Sequence, residues 1–362
     1  MKIFIAGDLY FMPGVVIEIF KDILKDVSIP IEYDSVTLPY PVDHIPLFDV
    51  SVVPTGMAWD NNVDDDYGTQ GVREYYGRND TLKGLLGNCD ILVIHGAALP
   101  ASVIDEVPNL KIICCMRGGP VNIAADHARK KGIILINSPG KNAQGVAEFT
   151  IGIILSHIRH ISQGYNGLFG NQYVQRYNHY DILAWELEHK KFGIIGFGRI
   201  GQALSKILNG FGCDVYAFDP FVEEKQIVSL GVKPIGMEDL LRTCDIVSLH
   251  ARDTSTGRPI IGAAEFALMK PSALFVNTAR GTQVDYKALA DVLKTKKIAG
   301  AVLDVFGLEP FSFYKDLISL PQVTATPHMA GTSRETVLRG ATMVAEDIKR
   351  FINGEALKYL MK

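Results

Sequence analysis

The sequence predicts an α/β protein with two doubly wound parallel sheets, and three observations support this fold class. Short runs rich in Ile and Val, bounded by Gly, Asp or Asn, recur along the chain. Segments with the apolar period of a helix lie between these runs, and such alternation of strands and helices is typical of α/β folds. The length of 362 residues exceeds what one hydrophobic core usually supports, so two domains of about 150 residues each are expected.

The predicted strands fall into two series. Their residues are apolar without alternation, which is typical of strands covered on both faces, as in a parallel sheet. The first series lies before about residue 140 and comprises residues 2–6, 91–95, 111–116 and 133–137. The second series runs from about residue 190 to 328 and comprises residues 192–197, 214–219, 245–250, 273–278 and 298–306.

Three further segments complete the outline of the chain. A single apolar stripe from Ile200 to Phe211 predicts an amphipathic helix. Residues 143–160 predict a long apolar helix, and the Tyr-rich residues 164–191 after it predict irregular structure. The last helix is predicted to open with a capping box from Thr332 to Glu335. Because no predicted strand follows that helix, it must pack on elements already built, and it can return to the first domain.

Composition and charge exclude several classes of protein. The chain is 48% hydrophobic and 21% charged, which excludes disordered, collagenous and coiled-coil proteins. With 36 basic and 40 acidic residues the net charge is −4, so no positive field attracts nucleic acid or anionic lipid. The first residues form no leader, and no run approaches the about 18 apolar residues of a membrane span. We therefore expect a cytoplasmic protein that binds neither nucleic acid nor membrane.

Cysteine usage and histidine spacing give no sign of a disulfide framework or a metal site. The five cysteines form no Cys-x-x-Cys motif and lie mostly in apolar runs, which favours reduced thiols. Only His157 and His160 have ligand-like spacing, and both more simply flank an apolar helix face, so no metal is expected. The acidic residues 55–80 lack the glycine and glutamate that an EF-hand requires, so they predict a solvated insertion.

A glycine fingerprint predicts a dinucleotide site. Gly196, Gly198 and Gly201 form Gly-x-Gly-x-x-Gly directly after a predicted strand and directly before the amphipathic helix. That context suits a tight turn, a close backbone approach to a pyrophosphate, and a helix N-terminus aimed at its charge. The next strand ends at Asp219, 18 residues beyond Gly201, where a carboxylate can bind ribose hydroxyls. No Arg follows to bind a 2′-phosphate, so the motif predicts NAD rather than NADP; the alternative is a glycine turn with an Asp cap.

Three chemically active residues stand at the ends of later strands. Arg280 follows residues 273–278, Glu309 follows residues 298–306, and His328 directly precedes the capped helix. Oxidation of a secondary alcohol beside a carboxylate needs a base, for which His328 suits, and a carboxylate that stabilises the imidazolium. A guanidinium can bind the substrate carboxylate and polarise the carbonyl oxygen. Taken singly, each residue can instead be structural: an ion-pair partner, a turn acid or a helix cap.

Five motifs in order resemble the D-isomer-specific 2-hydroxyacid dehydrogenases, the phosphoglycerate and glycerate dehydrogenase group. They are Gly-Ile-Ile-Gly-Phe-Gly-Arg-Ile-Gly at 193–201, Val-Ser-Leu-His at 247–250, Val-Asn-Thr-Ala-Arg-Gly at 276–281, Leu-Asp-Val-Phe…Glu-Pro at 303–310 and Thr-Pro-His at 326–328. The resemblance runs over nearly the whole chain. It implies a Rossmann NAD-binding domain at 143–331, a flavodoxin-like substrate domain at 1–142 plus 332–362, and a homodimer formed through the central helix and the Tyr-rich arm.

The resemblance also implies a role for each motif residue. Arg280 would bind substrate, Glu309 would support the base, and His328 would be the general acid/base. The implied cofactor contacts are Gly196, Gly198, Arg199, Ile200, Gly201, Asp219, Ala251, Thr278, Ala279, Asp304, His328 and Gly331, with Asp304 at the nicotinamide carboxamide. The implied substrate is a 2-hydroxy or 2-oxo acid, bound by Ala97, Arg117, Gly118, Gly119 and Arg280.

The departures from the family pattern fall on the substrate side. The family usually has an Arg and then Gly-x-Gly-x-Asp-Asn, whereas this chain has its Arg117 two places later and Val121 in place of the Asp. Arg117 is therefore expected to meet a different part of the substrate, such as a phosphate or distal hydroxyls. The loop around Ala97 lacks the usual hydroxyl side chains, so an extended or hydroxylated acid is expected, with phosphoglycerate left open.

Two other functions share this fold. Formate dehydrogenase normally pairs its His with a Gln, so Glu309 argues against it. An NAD(H)-sensing binding protein of the corepressor type can keep the catalytic trio, and only turnover separates it from an enzyme.

Overall fold

The computed structural model describes residues 1–38, 72, 75, 78–252, 258–307 and 314–361. These residues divide into two compact units. The first unit holds the described residues up to 141 and from 333 onward, and the second holds residues 142–307 and 314–332. Most of the acidic insertion predicted at 55–80, and Glu309, lie outside the described residues.

The described strands and helices alternate along the chain. The strands are β1 (Lys2–Asp8), β2 (Glu32–Leu38), β3 (Ile91–Ile94), β4 (Ile112–Cys115), β5 (Ile134–Asn137), β6 (Lys191–Ile195), β7 (Asp214–Phe218), β8 (Lys233–Pro234), β9 (Ile246–Leu249), β10 (Leu274–Asn277), β11 (Gly300–Leu303) and β12 (Val323–Ala325). The helices are α1 (Pro13–Ile23), α2 (Ala101–Asp105), α3 (Ala125–Lys130), α4 (Ala143–Ile158), α5 (Ile161–Phe169), α6 (Arg199–Gly210), α7 (Glu224–Ser229), α8 (Met237–Thr243), α9 (Ala263–Leu268), α10 (Tyr286–Lys294), α11 (Lys315–Ile318) and α12 (Arg334–Ile352). None of the described helices is both long enough and apolar enough to span a membrane.

Each unit contains one parallel sheet, which confirms the predicted fold class. The first sheet has five strands in the order β2-β1-β3-β4-β5, and the second has seven in the order β12-β11-β10-β9-β6-β7-β8. All the strand pairs are parallel. The first order is flavodoxin-like, and the second is a Rossmann order with its reversal between β6 and β9.

The unbroken apolarity of the inner strands follows from burial on both faces. In β1, Ile3 and Ile5 pack in one cluster with α1 and α12, whereas Phe4 and Ala6 pack in another with α2 and α3. Successive side chains of a strand point to opposite faces, so a strand covered on both sides needs apolar residues at every position.

The structure corrects two details at the last helix. The N-cap of α12 is Ser333, whose side chain accepts a hydrogen bond from the backbone N–H of Thr336, and not Thr332 as the capping box predicted. The chain also returns to the first sheet after α12, because Leu360 forms an antiparallel bridge with Ile136 of β5. The helix itself packs against α1 in the first unit.

The Tyr-rich segment is more regular than the sequence predicts. Residues 164–169, expected to be irregular, belong to α5, and short 3₁₀ turns follow at Arg176–Asn178 and Tyr180–Ile182. No residue of α5 is buried, so the burial pattern from which helices are normally read is weak in this segment.

A buried carboxylate anchors the C-terminal residues to the first unit. Asp347 of α12 is completely buried and accepts hydrogen bonds from the backbone N–H groups of Lys358 at 3.0 Å and Tyr359 at 2.6 Å. Its other partner is the Arg350 guanidinium at 2.9 Å. The charge is therefore paired and hydrogen-bonded, as a buried carboxylate must be.

Replacing Asp347 by Ala is expected to destabilise the first unit by about 2–4 kcal/mol, because two buried N–H groups lose their acceptor. Urea unfolding followed by circular dichroism measures the change. Glu346→Ala, which removes a half-exposed partner of the same Arg350, is the matched control, with an expected cost below about 1 kcal/mol. Equal midpoints for the two variants would contradict the anchoring role.

Candidate active site

The glycine loop between β6 and α6 lies at the reversal of the second sheet. Gly196 has a φ of +93°, which L side chains rarely adopt, and a Cβ there would lie 2.4 Å from the backbone nitrogen of Ala251. A Cβ on Gly201 would lie 2.5 Å from the carbonyl oxygen of Gly196. These two glycines are therefore required by the close packing of the loop, the helix and the segment after β9.

Gly198 has a different role, because its missing side chain leaves open space. A Cβ at Gly198 would meet no heavy atom within 4 Å. Gly198 is also the N-cap of α6, the 12-residue helix that begins at Arg199, and it supplies no capping side chain. The first N–H groups of a helix lack intrahelical partners and carry partial positive charge, so this open cradle fits the pyrophosphate of a dinucleotide.

Asp219, at the end of β7, holds the glycine loop in place. One carboxylate oxygen accepts a hydrogen bond from the backbone N–H of Phe197 at 2.7 Å, and the other accepts from Phe221 at 2.9 Å. A carboxylate has about four lone-pair sites, so acceptor capacity remains for ribose hydroxyls. Asp219 is thus both a loop-positioning residue and a candidate ribose ligand.

The turn after β10 places Arg280 at the same edge of the sheet. Asn277 is completely buried, and its side chain accepts from the backbone N–H of Ala279 and donates to the carbonyl of Arg280. The hydroxyl of Thr278 lies 2.9 Å from that of Thr150 on α4, which ties the end of β10 to that helix. Arg280 itself is exposed, so its guanidinium is accessible to a ligand.

Asp304 and His328 are joined by direct hydrogen bonds. Asp304 follows β11 and is completely buried. Its carbonyl accepts from the backbone N–H of His328 at 2.8 Å, and its carboxylate accepts from the hydroxyl of Thr326 at 2.7 Å. The same carboxylate also accepts from the N–H groups of Met329 and Ala330, both at 2.9 Å. Burial raises the pKa of Asp304 above its usual value, while these hydrogen bonds act in the opposite direction.

The Asp304 contacts hold His328 in an unusual backbone conformation. His328 has a φ of +52°, in the left-handed region that few non-glycine residues occupy. Residues in sparsely populated regions persist only where the surroundings determine them, and they concentrate at functional sites. Asp304 is therefore a positioning residue for His328, a role that the motif alone did not indicate.

In the first unit, the predicted substrate-binding loops are joined by a buried amide. Asn122 is completely buried, and its side chain donates to the carbonyls of His95 at 3.0 Å and Ala97 at 2.6 Å. Its oxygen lies 3.4 Å from Nη1 of Arg117. The Ala97 side chain is fully buried in the core, so Ala97 can meet a ligand only through its backbone. Gly118 and Gly119 are exposed.

The chain matches known proteins over most of its length. A family model described as "D-isomer specific 2-hydroxyacid dehydrogenase, NAD binding domain" matches residues 151–330. Over 272 residues the chain is 35% identical to the hydroxypyruvate reductase of Thermotoga maritima, covering 74% of this chain and 87% of that protein. The chain belongs to the D-isomer specific 2-hydroxyacid dehydrogenase family. The predicted resemblance is confirmed, and so is NAD as the cofactor.

Two further relatives of this D-isomer specific 2-hydroxyacid dehydrogenase place it more broadly. It is 36% identical over 272 residues to the D-3-phosphoglycerate dehydrogenase of Methanocaldococcus jannaschii, covering 74% of this chain but about half of that protein, 51%. The apo-structure of D-lactate dehydrogenase from Escherichia coli covers 100% of both chains with a TM-score of 0.73 and 22% identity. That likeness shows the shared fold.

The two outer glycine-loop positions allow a paired test. Gly196→Ala is expected to lower the thermal unfolding midpoint strongly, by more than about 2 kcal/mol of stability, because its Cβ collides with backbone at a left-handed position. Gly198→Ala is expected to leave the midpoint unchanged but to weaken NADH binding by about tenfold or more, because its Cβ enters the cradle. Fluorescence titration with NADH measures the second effect. Unchanged affinity in Gly198→Ala would show that the dinucleotide does not approach this residue.

Proposed function

We propose that this chain is an NAD-dependent oxidoreductase that interconverts a D-2-hydroxy acid and its 2-oxo acid. The observation that carries the proposal is the buried Asp304 carboxylate, which holds the His328 loop at the sheet edge that also bears the dinucleotide fingerprint. Arg280 follows the neighbouring strand β10 at that edge. A base, an anion-binding guanidinium and a nicotinamide site are what this reaction needs.

Each residue has a distinct role in the proposed reaction. NAD, when bound, accepts or supplies the hydride at C2 of the acid. His328 takes the hydroxyl proton during oxidation and returns it to the carbonyl oxygen during reduction. Arg280 binds the substrate carboxylate and polarises the carbonyl oxygen through charge-assisted hydrogen bonds. Glu309 pairs with His328 and stabilises its protonated form.

The proposed cofactor contacts follow the geometry of the second unit. The N–H groups of Arg199, Ile200 and Gly201 begin α6 and would bind the pyrophosphate, while Asp219 would bind the adenosine ribose. A carboxylate at that position repels a 2′-phosphate, which favours NAD over NADP. Asp304, through its remaining acceptor capacity, would meet the nicotinamide carboxamide. Ala251, Thr278, Ala279 and Gly331 would line the bound dinucleotide.

The proposed substrate is a small acid of the glycerate or phosphoglycerate type. Relatives of this chain are named D-3-phosphoglycerate dehydrogenase, glyoxylate reductase and hydroxypyruvate reductase. All three names describe short 2-hydroxy or 2-oxo acids. The substituent at C3 is therefore the feature that distinguishes the candidate substrates.

His328→Asn tests the proposed base without disturbing the backbone, because Asn is among the residues that best tolerate a positive φ. The variant is expected to lose about 10²–10⁴-fold in kcat for reduction of a 2-oxo acid, with NADH affinity unchanged. His189→Asn is the matched control, since His189 also has a positive φ, +59°, and is exposed. Wild-type turnover in His328→Asn would contradict the assignment. NADH binding without any turnover in the wild type would favour a sensing function.

We also propose that the protein is a homodimer that buries the surface of residues 161–183. This segment exposes several large apolar side chains: Ile161, Tyr165, Leu168, Phe169, Tyr173, Tyr180, Ile182 and Leu183. A contiguous exposed apolar surface of this kind is typical of an interface. The segment directly follows α4, the central helix that the family resemblance assigns to the dimer.

Light scattering after size exclusion is expected to give the mass of two chains. Phe169 is 82% exposed, so Phe169→Asp is expected to shift the protein toward one chain without unfolding it, because a charge is costly in an apolar interface. Val228→Asp, on the exposed side of α7, is the matched control. A wild-type mass of one chain would refute the dimer.

A further inference from the structure

The first sheet has its own ligand-binding position, separate from the dinucleotide fingerprint of the second sheet. Its strand order reverses between β1 and β3, and open α/β sheets bind ligands at the carboxyl ends of the strands where this reversal occurs. Asp8 ends β1 and His95 directly follows β3. Both residues lie at this reversal and are buried, at 1% and 6% exposure.

Asp8 and His95 form a saturated pair. Nδ1 of His95 donates to Asp8 at 2.6 Å, and Asp8 also accepts from the backbone N–H groups of Tyr10 and Phe11. Burial lowers the pKa of His95 to about 4, so the imidazole is neutral at physiological pH. Burial alone would raise the pKa of Asp8, but His95 and the two N–H groups outweigh it, and the net pKa is lowered. Asp8 is thus ionised, and its charge is occupied by these partners.

Lys141 lies beside this pair with its positive charge unneutralised by a direct partner. The residue is 7% exposed, and its ammonium stands 4.2 Å from the centre of the Phe11 ring and 5.7 Å from that of Tyr10. Among the described residues, no oxygen accepts a hydrogen bond from its Nζ. Buried lysines are almost always paired, so an ammonium held only by ring faces indicates a site for an anion.

A second cation increases the demand for an anion at this position. Burial lowers the pKa of Lys141 to about 7, and the positive charge of Arg117 lowers it further. Arg117 follows β4 in the same unit and is half-buried. Two like charges in a partly buried position destabilise a protein unless an anion comes between them, and such unfavourable arrangements are typical of functional sites.

We propose that Lys141 and Arg117 form an anion-binding site in the first unit that binds a second negatively charged group, a carboxylate or a phosphate, of the substrate. The inference rests on the proposed function, because it assigns the C3 substituent of the 2-oxo acid. Asp8 and His95 are positioning residues: His95 stacks on Phe11 with ring centres 4.3 Å apart, and Phe11 in turn carries the ammonium. Asn122 holds the loop that bears Arg117.

Lys141 is the group in this cluster that changes charge near neutral pH. The pKa of Tyr10 is raised by burial, that of Cys115 is raised to about 12, and those of His95 and Asp8 are lowered. Arg117 stays charged throughout. Binding of the second anion requires the protonated ammonium, so the KM for a substrate that carries it is expected to rise as the pH increases above about 7, and the KM for a substrate without it is not.

The test compares 2-oxo acids that differ in the second charge. Hydroxypyruvate has a neutral C3 substituent, 3-phosphohydroxypyruvate carries a phosphate, and oxaloacetate carries a carboxylate, so the last two distinguish the two anions. We expect wild-type kcat/KM to be at least about tenfold higher for one of the charged acids than for hydroxypyruvate. Lys141→Met, which removes the charge but keeps the shape, should abolish this preference and its pH dependence and leave hydroxypyruvate within about threefold. Lys83→Met, on the exposed surface of the same unit, should behave like the wild type.

The outcomes separate this inference from the proposed function. Equal losses for charged and neutral acids in Lys141→Met, or no preference in the wild type, would overturn the anion site while leaving the dehydrogenase intact. If the wild type reduces no acid, the proposed function fails, and thermal unfolding with inorganic phosphate tests the site alone. Phosphate should then raise the unfolding midpoint of the wild type but not of Lys141→Met, and no shift would overturn the site. Arg117→Gln provides a second variant if Lys141→Met does not fold.

Discussion

Parallel pairing is the constraint on which the rest of this structure depends. In both sheets each strand runs in the same direction as its neighbours, so all carboxyl ends meet at one edge. Parallel strands need crossover helices on both faces, and this covering buries the inner strands completely. Polar side chains are therefore confined to the residues just beyond the strand ends, which is where Asp8, Asp219, Asn277 and Asp304 lie. The chemistry of each unit is concentrated at its sheet edge for the same reason.

Buried acceptors at those edges give the functional loops their fixed shapes. Asp304 binds three groups of residues 326–330, Asp219 binds Phe197 of the glycine loop, and Asn277 binds both sides of the turn at Arg280. Loop backbone has no ladder to satisfy its N–H groups, so side-chain acceptors supply the missing hydrogen bonds. The residues proposed to act on the substrate are held by neighbours that never touch it. Loss of such a neighbour displaces the reacting group, and small displacements are costly in catalysis.

The sequence predicts the interior of each sheet far better than its borders. Every predicted run, from residues 2–6 to 298–306, contains a strand, because strands buried on both faces are continuously apolar. The edge strands β2, β8 and β12 were not predicted, since they are half-exposed and carry polar residues such as Glu32, Lys233 and Thr324. The start of α12 was misplaced by one residue because Thr332 and Ser333 both resemble caps, and only the hydrogen bond to Thr336 decides between them.

Site residues on motifs were predictable, whereas those created by packing were not. Gly196 and His328 announce themselves through local sequence context, but Lys141 becomes unusual only because Tyr10 and Phe11, distant in sequence, surround its ammonium. Residues 91–95 end in His95 and residues 2–8 in Asp8, yet nothing in either segment reveals the bond between them.

Hydride transfer itself is the most direct test of the central claim. Incubation of the wild-type protein with a 2-oxo acid and NADH deuterated at the transferable C4 position should yield a 2-hydroxy acid with one deuterium at C2 and the D configuration. Mass spectrometry and chiral chromatography read both properties from one sample. A product without deuterium, or no product from a protein that still binds NADH, would contradict the account.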